Sequence, residues 1–271
     1  TNLGAASAGV VPSVFTHPQS PALSFVAWAN AGDTALVWTT SSDYGATWGA
    51  AAPIYTFAGG PALVALAFAM RKSGGTDRFI FMATTNAGAV SWWVISRTAG
   101  GPWPAAPTAI SSGWPAAATV NGLDAVWEDD WLLLAGGQTS AAGNGARLWW
   151  MVYGDGGTYM AGAAASGIVE QTDAAGFLYV GPRLVAGEHI RAGYLESWAG
   201  AGAYRRQQLM TLVGSGAGFN AGYWTEPEPF PYEPAGDYSL CLAATHSATN
   251  RTLWAMGPAD AAYQGALGAS V

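Results

Sequence analysis

Apolar positions fall in short runs broken by turn residues, and the runs have the length and alternation of strands rather than helices. The first pair, 22–30 (Ala-Leu-Ser-Phe-Val-Ala-Trp-Ala-Asn) and 34–40 (Thr-Ala-Leu-Val-Trp-Thr-Thr), is joined by Ala31-Gly32-Asp33, a hairpin signal. Runs at 62–70, 78–85 and 90–98 follow, linked by Lys72-Ser73-Gly74-Gly75 and Asn86-Ala87-Gly88. Later runs lie at 121–128, 131–136, 146–153, 177–186, 189–198, 204–213, 238–244 and 252–256. No segment keeps apolar residues at helical spacing for three turns without a Gly or Pro. No apolar stretch approaches the roughly 18 residues of a membrane-spanning helix. The pattern predicts an all-β chain.

Grouping the runs exposes a coarse repeat. Each group opens on small or aliphatic residues: Val10-Val11-Pro12-Ser13-Val14, Ala62-Leu63-Val64-Ala65-Leu66, Leu123-Asp124-Ala125-Val126, Leu178-Tyr179-Val180-Gly181 and Ser239-Leu240-Cys241-Leu242. Hairpins with bulky residues follow, among them Trp38, Trp92-Trp93, Trp149-Trp150 and Leu253-Trp254. A period of about 50–60 residues matches a four-stranded propeller blade with loop excursions. Small residues suit innermost strands, and large aromatics suit the strands where blades pack face to face. The prediction is one β-propeller domain over 1–271, with five four-stranded blades near 10–58, 60–114, 119–175, 177–234 and 236–271. The last group is short for four strands, so residues 1–9 are expected to supply its outer strand and close the ring. A sandwich or another blade number is the alternative.

Composition narrows the partners. The chain has 10 basic and 17 acidic residues, a net charge of −7, and a single lysine, Lys72. The only adjacent basic pairs are Arg71-Lys72 and Arg205-Arg206, too few for phosphate-rich partners, so nucleic acid and anionic membrane surfaces are excluded. The lone Cys241 cannot form an internal disulfide. His17, His189 and His246 are far apart in sequence, and no ligand spacing suggests a metal or other cofactor. A weakly charged surface of small polar residues suits neutral glycans or a surface protein partner. The opening Thr1-Asn2-Leu3 reads as a processed protein or a piece of a longer one, and an extracellular or virion-surface setting is expected.

One motif is sharp. Ser41-Ser42-Asp43-Tyr44-Gly45-Ala46-Thr47-Trp48 fits Ser-x-Asp-x-Gly-x-Thr-Trp at every fixed position. Asp43 can accept backbone N–H bonds within the turn, Gly45 can take positive φ, Thr47 adds a local hydroxyl, and Trp48 covers the turn. This resembles the Asp box of sialidase-like propellers. The resemblance implies a hairpin on the outer rim, with Ser41, Asp43, Gly45, Thr47 and Trp48 structural rather than catalytic.

Sialidase-like enzymes imply an arginine triad and a Phe/Tyr-Arg-Ile-Pro element, whose nearest string here, Asp77-Arg78-Phe79-Ile80, lacks the proline. Arg71, Arg183 and Arg191 are the arginines near expected inner strands. Five-bladed arabinanase- and fructosidase-type enzymes imply three carboxylates on inner strands of different blades. The first two inner strands carry none. Asp124, Glu188 and Asp237 are the best trio if hydrolysis occurs. The plainer reading makes Asp124 a strand cap and places Glu188 and Asp237 in turns.

Tryptophans in glycine- and proline-rich surroundings offer a different function. Trp103, Trp114, Trp198 and Trp224 are candidate exposed rings on which a sugar could stack; the plainer reading has each plug a seam between blades. With an incomplete catalytic set, the leading expectation is a non-catalytic surface propeller for recognition or adhesion, of the kind found in phage-tail-like assemblies and directed at glycans. A glycoside hydrolase with diverged carboxylates is the alternative, and an architectural domain of a larger assembly is the third reading.

Overall fold

The computed structural model describes residues 4–7, 9–16, 20, 22–70, 78–97, 101–110, 117–128, 131–140, 146–153, 166–172, 177–185, 190–198, 204–213, 223–226, 228–229, 241–246, 251–256 and 267–270. Every regular element among them is a β-strand. No helix among the described residues is long and apolar enough to cross a membrane. The strands form five sheets, and the chain divides into two compact units, Thr1–Gly122 and Leu123–Val271.

The first unit holds two antiparallel meanders. One is ordered β1 (Ser13–Thr16), β2 (Ser24–Ala29), β3 (Ala35–Ser41), β4 (Ala52–Thr56). The other is ordered β5 (Ala62–Met70), β6 (Arg78–Asn86), β7 (Ala89–Arg97), β8 (Thr108–Ile110). Strand β2 is buried along its whole length, which explains why its sequence reads as a continuous run and does not alternate. Between the sheets lies a core built from Phe25, Leu36, Phe57, Leu63, Leu66, Phe68, Ile80, Met82 and Ile95. Its aromatic spine runs from Phe15 to Phe68 (5.8 Å between ring centroids), on to Phe25 (5.8 Å), then to Trp38 (6.3 Å). Each such ring pair contributes about 0.5–1.5 kcal/mol beyond its buried area. Ser13 Oγ accepts the N–H of Phe68 at 3.0 Å, tying the start of the first sheet to the first strand of the second.

The hairpin expected at Ala31-Gly32-Asp33 joins β2 to β3. Asn30 Oδ1 accepts the N–H groups of Thr34 and Ala35, both at 2.9 Å, and Asp33 takes a φ of 56°. The N-terminal stretch expected to finish the last group behaves differently where it is described. Ala6 bridges Asn30, and Ser7 donates its N–H to the carbonyl of Ala29 at 2.9 Å, so both attach to the first sheet. Residues 1–3 and 8 lie outside the described residues.

The second unit holds three sheets. Strand β9 (Ala117–Glu128) starts just before the unit boundary and leads the sheet it forms with β10 (Trp131–Ser140), β11 (Ala146–Tyr153) and β12 (Ser166–Thr172). The next sheet runs β13 (Phe177–Val185), β14 (Ile190–Trp198), β15 (Tyr204–Val213), β16 (Tyr223–Trp224), with β17 (Glu228–Pro229) also on β15. The last described sheet is β18 (Cys241–His246), β19 (Arg251–Met256), β20 (Leu267–Ser270). Its third strand therefore comes from the C-terminal end of the chain.

Candidate active site

Strand β13 stands first in its sheet, so alternate N–H groups along it point away from β14 and need acceptors elsewhere. Its pairing with β14 shifts register between Val180 and Arg183, around the buried Pro182, which has no N–H to give. Just beyond that irregularity, the N–H of Leu184 meets Oδ2 of Asp124 at 2.7 Å. Asp124 sits inside β9, two residues after Gly122, whose φ is 142°. It is thus not the strand cap of the plainer reading; its side chain links the first strands of two sheets.

The half-buried Asp124 holds an unusual carboxyl. Loss of water around it raises its pKa above the usual aspartate value, against the opposing pull of the Arg183 guanidinium and of the Leu184 and Ala125 amides. A carboxyl that resists ionisation beside a cation is equipped to donate a proton.

The remaining predicted positions divide clearly. Glu188, Asp237 and Trp114 lie outside the described residues. Trp198 closes β14, between Phe177 on β13 and Tyr204 on β15, and Trp224 lies on β16 opposite Leu212. Trp103 departs from the exposed ring expected of a Gly/Pro loop. Its indole is half-buried, meets Trp38 edge-on at 5.3 Å and 88°, and leaves Nε1 buried with no partner. A large apolar ring beside an apolar seam is better covered than wet.

The Ser41–Trp48 segment forms the link between β3 and β4. Asp43 Oδ1 accepts the N–H of Thr47 at 2.8 Å and the hydroxyl of Ser41 at 2.7 Å, while Oδ2 accepts the Thr47 hydroxyl. Ser41 Oγ in turn accepts the N–H of Gly45 at 2.9 Å. Gly45 has a φ of 82°, and the ring of Trp48 lies over it. Three bonds to one carboxylate, led by the Thr47 hydroxyl, lower the Asp43 pKa to about 2. All these partners are local and turn-forming.

Among the described residues, no group of three or more His, Cys, Asp or Glu gathers as a metal site. One polar residue that the sequence reading did not single out stands beside a pocket: Arg97, the last residue of β7. The signal was present in the spacing, since Trp93, Ile95 and Arg97 share one face of the strand and the first two pack on the core.

No family model matches the chain, and no curated protein matches its sequence. Solved structures do match. The Penicillium chrysogenum α-L-arabinanase complexed with arabinobiose aligns at a TM-score of 0.60 and 10% identity, over 90% of this chain and 76% of that one. An endo-arabinase from Bacteroides thetaiotaomicron aligns at 0.54 and 12% identity, over 100% of this chain and 96% of that one. A Hadza microbial sialidase aligns at 0.58 and 11% identity, over 90% of this chain and 52% of that one. The chain has the fold of the propeller glycosidases. At such low identity the likeness concerns fold alone.

These neighbours correct the leading expectation of a non-catalytic adhesion propeller, because all three are carbohydrate-cleaving enzymes. That expectation leaned on the missing carboxylates of the first two inner strands and treated Asp124 as an ordinary strand cap. Asp124 lies within β9 rather than at its end, and its carboxyl accepts the Leu184 N–H.

Proposed function

We propose that the chain is a glycoside hydrolase of the arabinanase and arabinofuranosidase type, acting on neutral furanoside glycans. The observation that carries this is the Asp124 carboxyl, desolvated, held through Oδ2 by Leu184 and placed beside Arg183 on the first strands of two sheets. In this reading the five sheets are five blades of one propeller domain over 1–271, with β1, β5, β9, β13 and β18 innermost. The Ser41–Trp48 turn is its Asp box, on the outer rim.

Asp124 serves as the proton donor to the leaving glycosidic oxygen. Arg183 limits how far burial raises its pKa, so the group can recharge between turnovers. Strands β1 and β5 contain no carboxylate, so the base or nucleophile falls to Glu188 or Asp237. In sequence, Glu188 follows the last residue of β13 by three positions and Asp237 precedes the first of β18 by four.

The test is turnover of nitrophenyl α-L-arabinofuranoside and linear arabinan by the full chain, with Asp124→Asn, Glu188→Gln and Asp237→Asn as variants. Each variant should lose about 10²–10⁴-fold in kcat while keeping the wild-type circular dichroism. An inert wild type on arabinosides, fructosides and sialosides alike, or an undiminished Asp124→Asn, overturns the reading.

A further inference from the structure

Within the first unit a pocket of about 370 Å³ opens beside the β3–β4 turn. Its size falls in the lower part of the range of small-molecule sites, about 300–1,000 Å³. The half-buried Trp38 supplies aromatic surface with Phe25 buried behind it, Thr39 and Thr40 line it, exposed Ala50 borders it, and Arg97 contributes a cation. The guanidinium carbon lies 4.7 Å from the Trp38 ring centre and 5.2 Å from that of Trp103. The two indoles are nearly perpendicular, so the cation occupies a corner between them.

Two features of that corner are unresolved by the protein itself. Nε of Arg97 and Nε1 of Trp103 are both buried without a hydrogen-bond partner. Burial alone lowers the pKa of Arg97, and no carboxylate pairs with it among the described residues. A partly desolvated guanidinium normally has an anion, because ring faces offset only part of the lost hydration. Its planar fork matches a carboxylate with two parallel N–H···O bonds.

We propose that this pocket is a second carbohydrate site, separate from Asp124, which takes a sugar ring bearing a carboxylate such as a hexuronate. The carboxylate meets Arg97, and the apolar face of the ring lies against the accessible part of the Trp38 indole. The shared chemistry with a simple organic acid is the charge; the shared chemistry with a neutral sugar is the ring. Only a uronate uses both.

The experiment is calorimetric titration of the full chain with galacturonate, acetate and galactose. Galacturonate should bind at least about tenfold tighter than either of the others. Arg97→Gln should remove that preference, and Ala50→Phe, which blocks the mouth and leaves the cation in place, should weaken galacturonate by a similar factor. Arabinan turnover should be unchanged in Ala50→Phe, and binding can be read even if the chain turns over no arabinoside. Equal binding of acetate reduces the pocket to an anion site, and equal binding of galactose leaves Arg97 without a role; either result overturns the proposal. So does an absence of galacturonate binding, which makes the guanidinium a structural clamp on the two indoles.

Discussion

Oδ2 of Asp124 accepts the backbone N–H of Leu184 at 2.7 Å, across sixty positions of chain. The bond satisfies a donor on the edge of β13 that faces away from β14. The same bond and the neighbouring Arg183 favour the ionised form, yet desolvation outweighs both and the pKa rises. Asp124 is consequently strained electrostatically rather than sterically, a condition common where a proton must be held and then released.

A pH dependence of stability follows. The folded-state pKa of Asp124 lies above its ordinary value of 3.8, so its contribution is fully present below that value and is lost as pH rises through the folded pKa. Asp124→Asn keeps an acceptor for Leu184 and cannot ionise. Its stability relative to wild type should therefore increase from pH 4 to pH 7, read from urea midpoints at both values. Asp124→Ala leaves the Leu184 N–H unpaired and should cost about 1–3 kcal/mol at pH 4, with the cost shrinking towards pH 7 because it too cannot ionise. A wild type whose advantage over Asp124→Asn grows with pH would contradict the burial argument.

Asp43 has the opposite sign. Its folded pKa is lowered from 3.8 to about 2 by Thr47 and Ser41, so its contribution is present above 3.8 and is lost as pH falls towards 2. Asp43→Asn should flatten acid denaturation over that window and leave stability at pH 7 and above lower than wild type. Thr47→Val, which removes the largest cause, should move the onset of acid unfolding upward. Coincident acid-unfolding curves for the three proteins would count against the bonding described.

How much of this was readable in the residues depends on how local each interaction is. The Asp43 turn was readable because its bonds span two to four positions and need particular side chains at each. Strand β2 was readable because two buried faces leave an unbroken apolar run. The Asp124–Leu184 bond was not, since its donor is a main-chain amide that carries no side-chain signature. Trp103 misled because Gly101-Pro102 and Pro104 describe a loop, while the indole answers to whatever apolar surface the loop passes, here Trp38. Residues 6–7 misled for a similar reason: which sheet a terminal stretch joins is set by tertiary contact rather than by its own sequence.

Phe68 tests the aromatic spine. It is 3% exposed and touches Phe15 and Phe25 with ring centroids 5.8 Å away in each case. Phe68→Ala should destabilise by about 3–5 kcal/mol, while Phe68→Leu, which keeps most of the volume, should cost distinctly less. Denaturant midpoints decide it, and equal midpoints for the two variants would mean that the core relaxes around the missing ring.

The hairpin between β6 and β7 contains a correctable conflict. Asn86 pairs with Ala89, and the two residues between them have positive φ, 50° at Ala87 and 83° at Gly88. Two such residues make the type I′ turn, whose twist suits a β-hairpin and whose first position favours Asn or Gly. Gly88 meets that requirement, but Ala87 bears a Cβ in the left-handed region, at a cost of about 1–2 kcal/mol. Ala87→Asn produces Asn-Gly, the strongest two-residue hairpin signal, and should stabilise the protein by about 0.5–1 kcal/mol. For a chain of this length that corresponds to a rise of roughly 1–3 °C in Tm. Ala87→Val, branched at the same strained position, should lower Tm, and an ordering with valine above asparagine would show that the turn is not of this type.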